Sequence, residues 1–325
     1  KSNIIFSILF LSIFIGNYFY GSHKINNSNY NFDRNIYVKI VSPNFSMEDY
    51  SYNSELQQLE RLIRISQPIK DRKTLFIWPE GIFYQSYLDN IVLYKDLFLD
   101  KFSENHLIAL GINNFVNIND LNNKKYFNSL VILNNKLEVI SVYNKLNLVP
   151  FGEFLPFEKA LSKIGLKKIT PGYSSFSPGQ DRKIIKLSNE YNEKLILPLI
   201  CYEIIYPGKI KTKRQYPDLV INISEDAWFG DSIGPYQHYT KAIYRSVEEG
   251  VFIARSANKG VSGLIDPNGR SLKFLDRSES GNVEHKMPQY TGSTLFSNYG
   301  NKIFFLIILL YIFLILILKK FKSNE

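Results

Sequence analysis

Between Asn35 and Met287 the chain repeats one pattern, a short apolar run that reads as a strand followed by a stretch with helical spacing. Strand candidates are 36–41, 75–78, 107–112, 128–133, 139–142, 195–200, 219–223, 251–254 and 263–266. Helix candidates are 50–65, 87–102 and 237–249. Strands alternating with helices argue for an α/β domain, and about 250 residues bury one large core without a second.

Three of these runs deliver an ionisable residue at their end. The run Leu75-Phe76-Ile77-Trp78-Pro79-Glu80 stops at a carboxylate, and Val139-Ile140-Ser141-Val142-Tyr143-Asn144-Lys145 at an amine. The third, Leu195-Ile196-Leu197-Pro198-Leu199-Ile200, stops at Cys201, the only cysteine in 325 residues. Open α/β sheets place their chemistry at the carboxyl ends of strands. A carboxylate to take a thiol proton, an ammonium to hold thiolate and oxyanion, and a sulfur to attack form a set for acyl transfer. A free thiol titrates near pH ~8.5 and needs such neighbours to react. The alternative for a lone cysteine is a buried structural side chain.

The ends of the chain differ from its middle. It opens on Lys1 rather than methionine and is expected to be part of a longer polypeptide. Residues 4–15 are apolar apart from Ser7 and Ser12, and Tyr18, Phe19 and Tyr20 follow as interfacial aromatic residues do. Residues 1–20 are therefore expected to end a transmembrane helix, a cleaved signal peptide being the alternative. A polar, Asn-rich linker is expected over 21–35, the folded domain over 36–287 and a second linker over 288–302. The uninterrupted apolar run 303–318 reads as a C-terminal transmembrane helix, with a buried core helix as the alternative. Lys319, Lys320 and Lys322 in the tail 319–325 would stay cytoplasmic, which would put 21–302 on the far side of the membrane.

The net charge of +9 comes from scattered lysines with no helix-borne basic stripe, so no nucleic acid partner is expected. The densest basic cluster, Lys209, Lys211, Lys213 and Arg214, reads as a solvated loop, a lipid headgroup contact being the alternative. His23, His106, His238 and His285 lie far apart, and with one cysteine they give no metal-ligand spacing. His238 opens a helix and reads as a structural histidine rather than a base.

Four stretches carry a family resemblance. They are Trp78-Pro79-Glu80, the block from Lys145 to Pro156, Cys201-Tyr202-Glu203, and Asp226-Ala227-Trp228-Phe229-Gly230-Asp231-Ser232 continuing to His238. Together they resemble the apolipoprotein N-acyltransferases, a membrane-bound branch of the nitrilase (carbon-nitrogen hydrolase) superfamily, from about Tyr37 to the last apolar run. The resemblance implies a nitrilase-like α/β fold, a four-layer α-β-β-α sandwich flanked by transmembrane helices, in a bacterial inner membrane with the catalytic domain on the periplasmic side. It implies transfer of a fatty acyl group from a phospholipid to the N-terminal α-amine of a diacylglyceryl-cysteine lipoprotein, through a Cys201 thioester and without a cofactor.

In that scheme Glu80 is the general base, and Lys145 with the Tyr202 backbone N–H holds the oxyanion. Glu153 matches a supporting glutamate, and Tyr202 and Glu203 match positions beside the nucleophile. Trp228 and Phe229 match a loop that admits acyl chains. The alternatives are an exposed loop carboxylate for Glu153, a structural role for Glu203 in orienting Lys145 or a helix N-terminus, and plain packing for Trp228. Two departures stand out: relatives carry a multi-helix membrane region of which at most one helix is present here, and Gly81 follows the motif glutamate where a hydroxyl residue would be unsurprising. Two other functions stay open. A hydrolase of the same superfamily would let water resolve the acyl-enzyme, but a soluble amide needs no membrane anchors. A non-catalytic tethered domain would have no need of an intact Glu80, Lys145 and Cys201 set.

Overall fold

The computed structural model describes residues 2–118, 123–158, 163, 175–208, 210 and 215–322. Its strands are β1 (Phe32–Ser42), β2 (Lys73–Ile77), β3 (Phe83–Tyr87), β4 (His106–Ile118), β5 (Asn123–Asn134), β6 (Val139–Asn144) and β7 (Ile185–Lys186). They continue with β8 (Leu195–Ile200), β9 (Leu219–Glu225), β10 (Phe252–Asn258), β11 (Ser262–Ile265), β12 (Ser271–Leu275) and β13 (Gly281–Pro288). Among the described residues these form two sheets, one ordered β13-β1-β2-β4-β5-β6 with β3 beside β4, the other β12-β11-β10-β9-β8-β7. Strands β1, β2 and β4 run parallel, as do β8, β9 and β10.

The alternation of side chains along the central strands explains how the sheets stack. On β2, Leu75 and Ile77 face the other sheet and join Ile36, Val38, Ile196, Ile200, Ile221 and Ile223 in a core between the two. Phe76 and Trp78 point the opposite way, into a second core with Leu59 and Leu62 of helix Glu55–Ser66 and Phe98 of helix Lys95–Lys101. On β8, Leu197 and Leu199 turn away from the first core into a third, where Tyr239 and Ala242 of helix Gly234–Glu249 cover them. Both faces of each sheet are therefore apolar, and three cores separate four layers, α-β-β-α, the arrangement that the family resemblance implied.

Local chemistry explains where element boundaries moved. The stretch 50–65, expected as one helix, is two, Met47–Tyr52 and Glu55–Ser66, because Ser54 caps the second through a reciprocal pair of bonds with Gln57. The stretch 87–102 is likewise divided among the end of β3, a turn of 3-10 helix and helix Lys95–Lys101. Buried Glu55 accepts from the Gln85 and Ser86 N–H groups and from the Ser86 and Tyr94 hydroxyls, which anchors β3 as a strand.

Both ends of the chain are helical, Ser2–Asn26 and Lys302–Lys322. Among the described residues no helix is long and apolar enough to cross a membrane, so the transmembrane helices expected at 1–20 and 303–318 gain no support from the structure. At 1.5 Å per residue the apolar runs 4–15 and 303–318 cover about 18 and about 24 Å, short of a hydrocarbon core of ~30 Å. The first helix also runs on through Asn17, His23 and Lys24. The expected placement of 21–302 on the far side of a membrane rested on those spans. The first helix ends at Asn26 and β1 begins at Phe32, while helix Leu295–Tyr299 falls within 288–302. Lys209, Lys211, Lys213 and Arg214 lie outside the described residues, as do 323–325 of the tail.

Candidate active site

Glu80 stands just beyond β2. The Trp78 N–H still pairs with β4 through Ala109 O (2.8 Å), and Pro79, which has no N–H to donate, ends the ladder. Beneath it, Gly111 of β4 passes so close that a Cβ there would meet Glu80 Cα at 2.7 Å, so only glycine fits. The Glu80 carboxylate is buried. Its Oε1 accepts from Asn128 Nδ2 of β5 (2.6 Å) and lies 3.6 Å from Lys145 Nζ, and its Oε2 accepts from the Glu225 backbone N–H (3.0 Å).

Lys145 follows β6 and is 1% exposed. It donates to Glu153 Oε1 (2.9 Å), and Asn128 donates to the same oxygen (2.7 Å). Glu153 Oε2 accepts from the Val149 N–H (2.8 Å), and the Glu153 N–H returns to Val149 O (2.8 Å), so the loop is folded around the carboxylate. Glu153 is thus no exposed loop residue. Asn128 ties it to Glu80.

Cys201 follows β8 with φ +49°, a left-handed conformation that costs about 1–2 kcal/mol for a residue with a side chain. Two clusters hold this turn. On one side Glu203, fully buried, accepts from the N–H groups of Ile200 (2.9 Å), Leu146 (3.0 Å) and Asn147 (3.1 Å), from Tyr143 OH (2.8 Å) and from Arg182 (3.2 Å). One carboxylate thereby joins the Cys201 turn to the segment after Lys145, the structural role foreseen as an alternative. On the other side the Cys201 carbonyl faces His238 Nε2 (3.2 Å) and Asn222 Nδ2 (3.4 Å). Asp226 holds His238 Nδ1 (3.0 Å) and Arg255 (2.7 Å), and Arg255 also donates to Asn222 Oδ1. Ser224 donates to Asp226 (2.6 Å) and is a hydrogen-bond partner of the Cys201 thiol.

Trp228 and Phe229 sit on the 3-10 turn Asp226–Phe229. Trp228 is 53% exposed, while the Phe229 ring lies 5.7 Å from His238. Tyr202 is exposed next to them, its ring 6.4 Å from His238.

Burial dominates the electrostatics. It pushes the Cys201 thiol up to about 12, with the Glu80 charge adding to the shift and Lys145 opposing it. The expectation that Lys145 lowers the thiol pKa is therefore outweighed, and the resting nucleophile is a neutral thiol that needs a base. Burial also lifts Glu80 above the ordinary carboxylate range; Lys145 pulls it back and Glu153 adds to the rise. For Lys145 burial disfavours the charge, yet Glu80 and Glu153 outweigh it and keep the ammonium charged above its usual range. His238 is pushed down by burial and by Arg255 against the pull of Asp226; its Nδ1 lies 3.0 Å from both Asp226 and Arg255, and its Nε2 faces the Cys201 carbonyl.

Burial works against the Asp226 carboxylate as well, but Arg255 and His238 overcome it and hold the group at about 2. A carboxylate depressed in this way contributes stability that is present above its unfolded pKa and lost as pH falls through the folded one. That contribution is about 2 kcal/mol, lost between about pH 4 and about pH 2. Asp226→Asn is expected to lower the urea midpoint at pH 7 and to flatten the acid limb of stability below about pH 4. An unchanged acid limb in urea titrations would count against the pairing.

Asn128, Tyr143, Arg182, Asn222, Ser224, Glu225 and Arg255 escaped sequence reasoning. Arg255 left the clearest trace, a charge directly after the apolar run 251–254. Asn128 opens a strand candidate but gave no sign of its partners.

A family model for carbon-nitrogen hydrolases matches residues 95–294. An apolipoprotein N-acyltransferase of Rickettsia prowazekii is 32% identical over 326 aligned positions, covering 96% of this chain and 60% of that protein. Another, from Rhizobium rhizogenes, is 32% identical over 240 residues, covering 73% of this chain and 44% of that protein. This chain spans about half the length of the curated relatives it matches. Among solved structures, a mutant of the amidase from Nesterenkonia sp. AN1 superposes with a TM-score of 0.53 at 17% identity, covering 80% of this chain and 94% of that one, a likeness of fold. With the family model spanning more than half its length and a two-sheet fold to match, the chain belongs to the carbon-nitrogen hydrolase family.

Proposed function

We propose that this chain transfers a fatty acyl group from a phospholipid to the α-amine of an N-terminal diacylglyceryl-cysteine, through a thioester on Cys201. The observation that supports the reading is a buried Glu80–Lys145 pair, 3.6 Å apart, whose charges both act on the partly buried Cys201 thiol. The relatives named apolipoprotein N-acyltransferases supply the substrate class. The end helices expose their apolar side chains, Phe10, Phe14, Phe304 and Phe313 among them, a surface suited to contact with lipid.

In the first half-reaction Glu80 takes the Cys201 proton as Sγ attacks the ester carbonyl. A thiol held at about 12 is inert without that base, and a carboxyl lifted by burial is a stronger base than a free one. Lys145, with the Tyr202 N–H, stabilises the oxyanion. The carbon–oxygen bond then breaks, the alkoxide takes the proton from Glu80, and a lysophospholipid leaves. In the second half-reaction an amine attacks the thioester carbonyl and the carbon–sulfur bond breaks, giving the amide. Glu80→Gln is expected to slow thioester formation about a hundredfold, the scale of a lost general base. An unchanged rate moves the base elsewhere, with Glu153 next.

The test is the intact mass of the protein after incubation with phospholipid vesicles. The expected result is a gain of one fatty acyl group that neutral hydroxylamine removes. Release of free fatty acid in place of acyl-peptide when a diacylated peptide is added would favour a hydrolase, and no adduct from a complete chain would remove the thioester.

A further inference from the structure

One carboxylate of the site takes no part in these steps. Glu225 ends β9, and its backbone N–H holds Glu80 Oε2 at 3.0 Å. Its side chain is 9% exposed and accepts from Tyr50 OH (3.1 Å), from the Ala227 N–H (3.1 Å) and from Asn258 Nδ2 (3.0 and 3.1 Å). All of these donors are neutral. Among the described residues no lysine, arginine or histidine pairs with Glu225, whereas Glu80 and Glu153 share Lys145, Glu203 has Arg182 and Asp226 has Arg255. A carboxylate withdrawn from water beside another carboxylate, with no cation of its own, is a place for a cation that arrives from outside. Gly81 borders it: a Cβ there would lie 3.5 Å from Glu225 Oε2, so the glycine after the motif glutamate leaves that oxygen uncovered on one side.

The proposed reaction brings such a cation. An α-amine titrates near pH ~8 and arrives mostly as ammonium at neutral pH. It must lose one proton to become a nucleophile and a second after it has attacked. Only one of the two returns to sulfur.

We propose that Glu225 draws the acceptor's ammonium into the site and takes its first proton, an inference that rests on the acyltransfer reading. The first nitrogen–hydrogen bond breaks as an oxygen–hydrogen bond forms on Glu225, and the neutral nitrogen attacks the thioester carbonyl. The second proton passes through Glu80 to the departing sulfur and restores the thiol. Glu225 later gives its proton to water. Burial, with the Glu80 charge adding, pushes the carboxyl up to about 8 against the pull of its Ala227, Asn258 and Tyr50 donors, so about a tenth of it is carboxylate at pH 7, and the arriving ammonium, an opposite charge, favours that ionised form. The titratable groups that face it are Tyr50 from helix Met47–Tyr52 and Glu80 from the end of β2, with Asp49 and Tyr84 beyond Tyr50 and Lys145 behind Glu80. Tyr50 is held well above its ordinary value by burial and by Glu225, so it stays neutral.

The experiment measures both half-reactions separately on the full chain. Acylation is followed by intact mass with phosphatidylethanolamine vesicles, and aminolysis by loss of that mass when a diacylated peptide with a free α-amine is added. In Glu225→Gln the ratio of aminolysis to acylation rate is expected to fall at least tenfold at pH 7. The deficit should shrink to about twofold by pH 9.5, where the amine is already neutral. A ratio unchanged at pH 7, or a deficit that persists at pH 9.5, overturns the inference while leaving the thioester in place. Absence of any acyl-enzyme in the wild-type chain instead overturns the acyltransfer reading and takes this inference with it. Should Glu225→Gln fail to fold, Tyr50→Phe removes one donor and so raises the Glu225 pKa; the acid limb of aminolysis should then move to higher pH, and a limb that stays in place overturns the proposal.

Discussion

Cys201→Ala is expected to abolish the acyl adduct and the transfer to amine while leaving the fold almost untouched. Both clusters that hold the turn grip main-chain groups or neighbouring residues, not the sulfur. His238 and Asn222 reach the Cys201 carbonyl, and Glu203 reaches the Ile200, Leu146 and Asn147 N–H groups. Alanine keeps that backbone and meets the same left-handed φ penalty, so native and variant share the strain. The loss in stability is limited to the contacts of one sulfur at the edge of the core between the sheets, about 1 kcal/mol. Activity has no such reserve. Cys201 is the only cysteine, and the nearest hydroxyl partner, Ser224, is bonded to Asp226 (2.6 Å). Intact mass with vesicles, read beside a urea titration, checks both halves. An adduct that persists and survives transfer to alanine would place the nucleophile elsewhere.

The three residues of the proposed set were legible because each ends an apolar run, and strand ends were also legible as sites. What surrounds them was not. Tyr143 meets Glu203 across 60 residues and Glu225 meets Glu80 across 145, separations that carry no periodic signal. Glu153, Glu203, Trp228 and Phe229 came from family resemblance alone, since nothing in composition marks one glutamate over another. The α/β class was readable from apolar runs alternating with helical spacing, whereas the four layers came from the family resemblance alone. Strands β12 and β13 were missed because both show mixed burial and lack a continuous apolar run. Apolar runs of 12 and 16 residues mark the end helices in the sequence, but a run shorter than the ~20 residues of a bilayer core does not by itself make a span. The lowering effect of Lys145 on the thiol was legible and has the expected sign, but the burial and the carboxylate that outweigh it were not.

Lys145→Met tests whether one ammonium serves both the fold and the chemistry. Methionine keeps most of the volume, so the cavity term is small, but Glu80 and Glu153 lose the cation they share at 3.6 and 2.9 Å. Breaking a buried pair in this way costs about 3–5 kcal/mol, because the remaining charges stay desolvated. The loss depends on pH, and its sign is fixed. Without Lys145 the buried carboxyls bind protons more tightly when folded than when unfolded, so the variant's stability rises as pH falls toward the range in which they become neutral. In the native chain the contribution of Lys145 runs the other way: its pKa is raised on folding, so its stabilisation is complete below the ordinary lysine pKa and is lost only at higher pH. Urea midpoints of the two proteins are therefore expected to converge between pH 7 and about pH 5. Acylation is not expected to recover with them. Protonating Glu80 removes the base, and no other cation replaces the oxyanion partner, so thioester formation should stay about a thousandfold down across that range. Recovery of both stability and acylation at low pH would mean that Lys145 acts on Cys201 only through the fold.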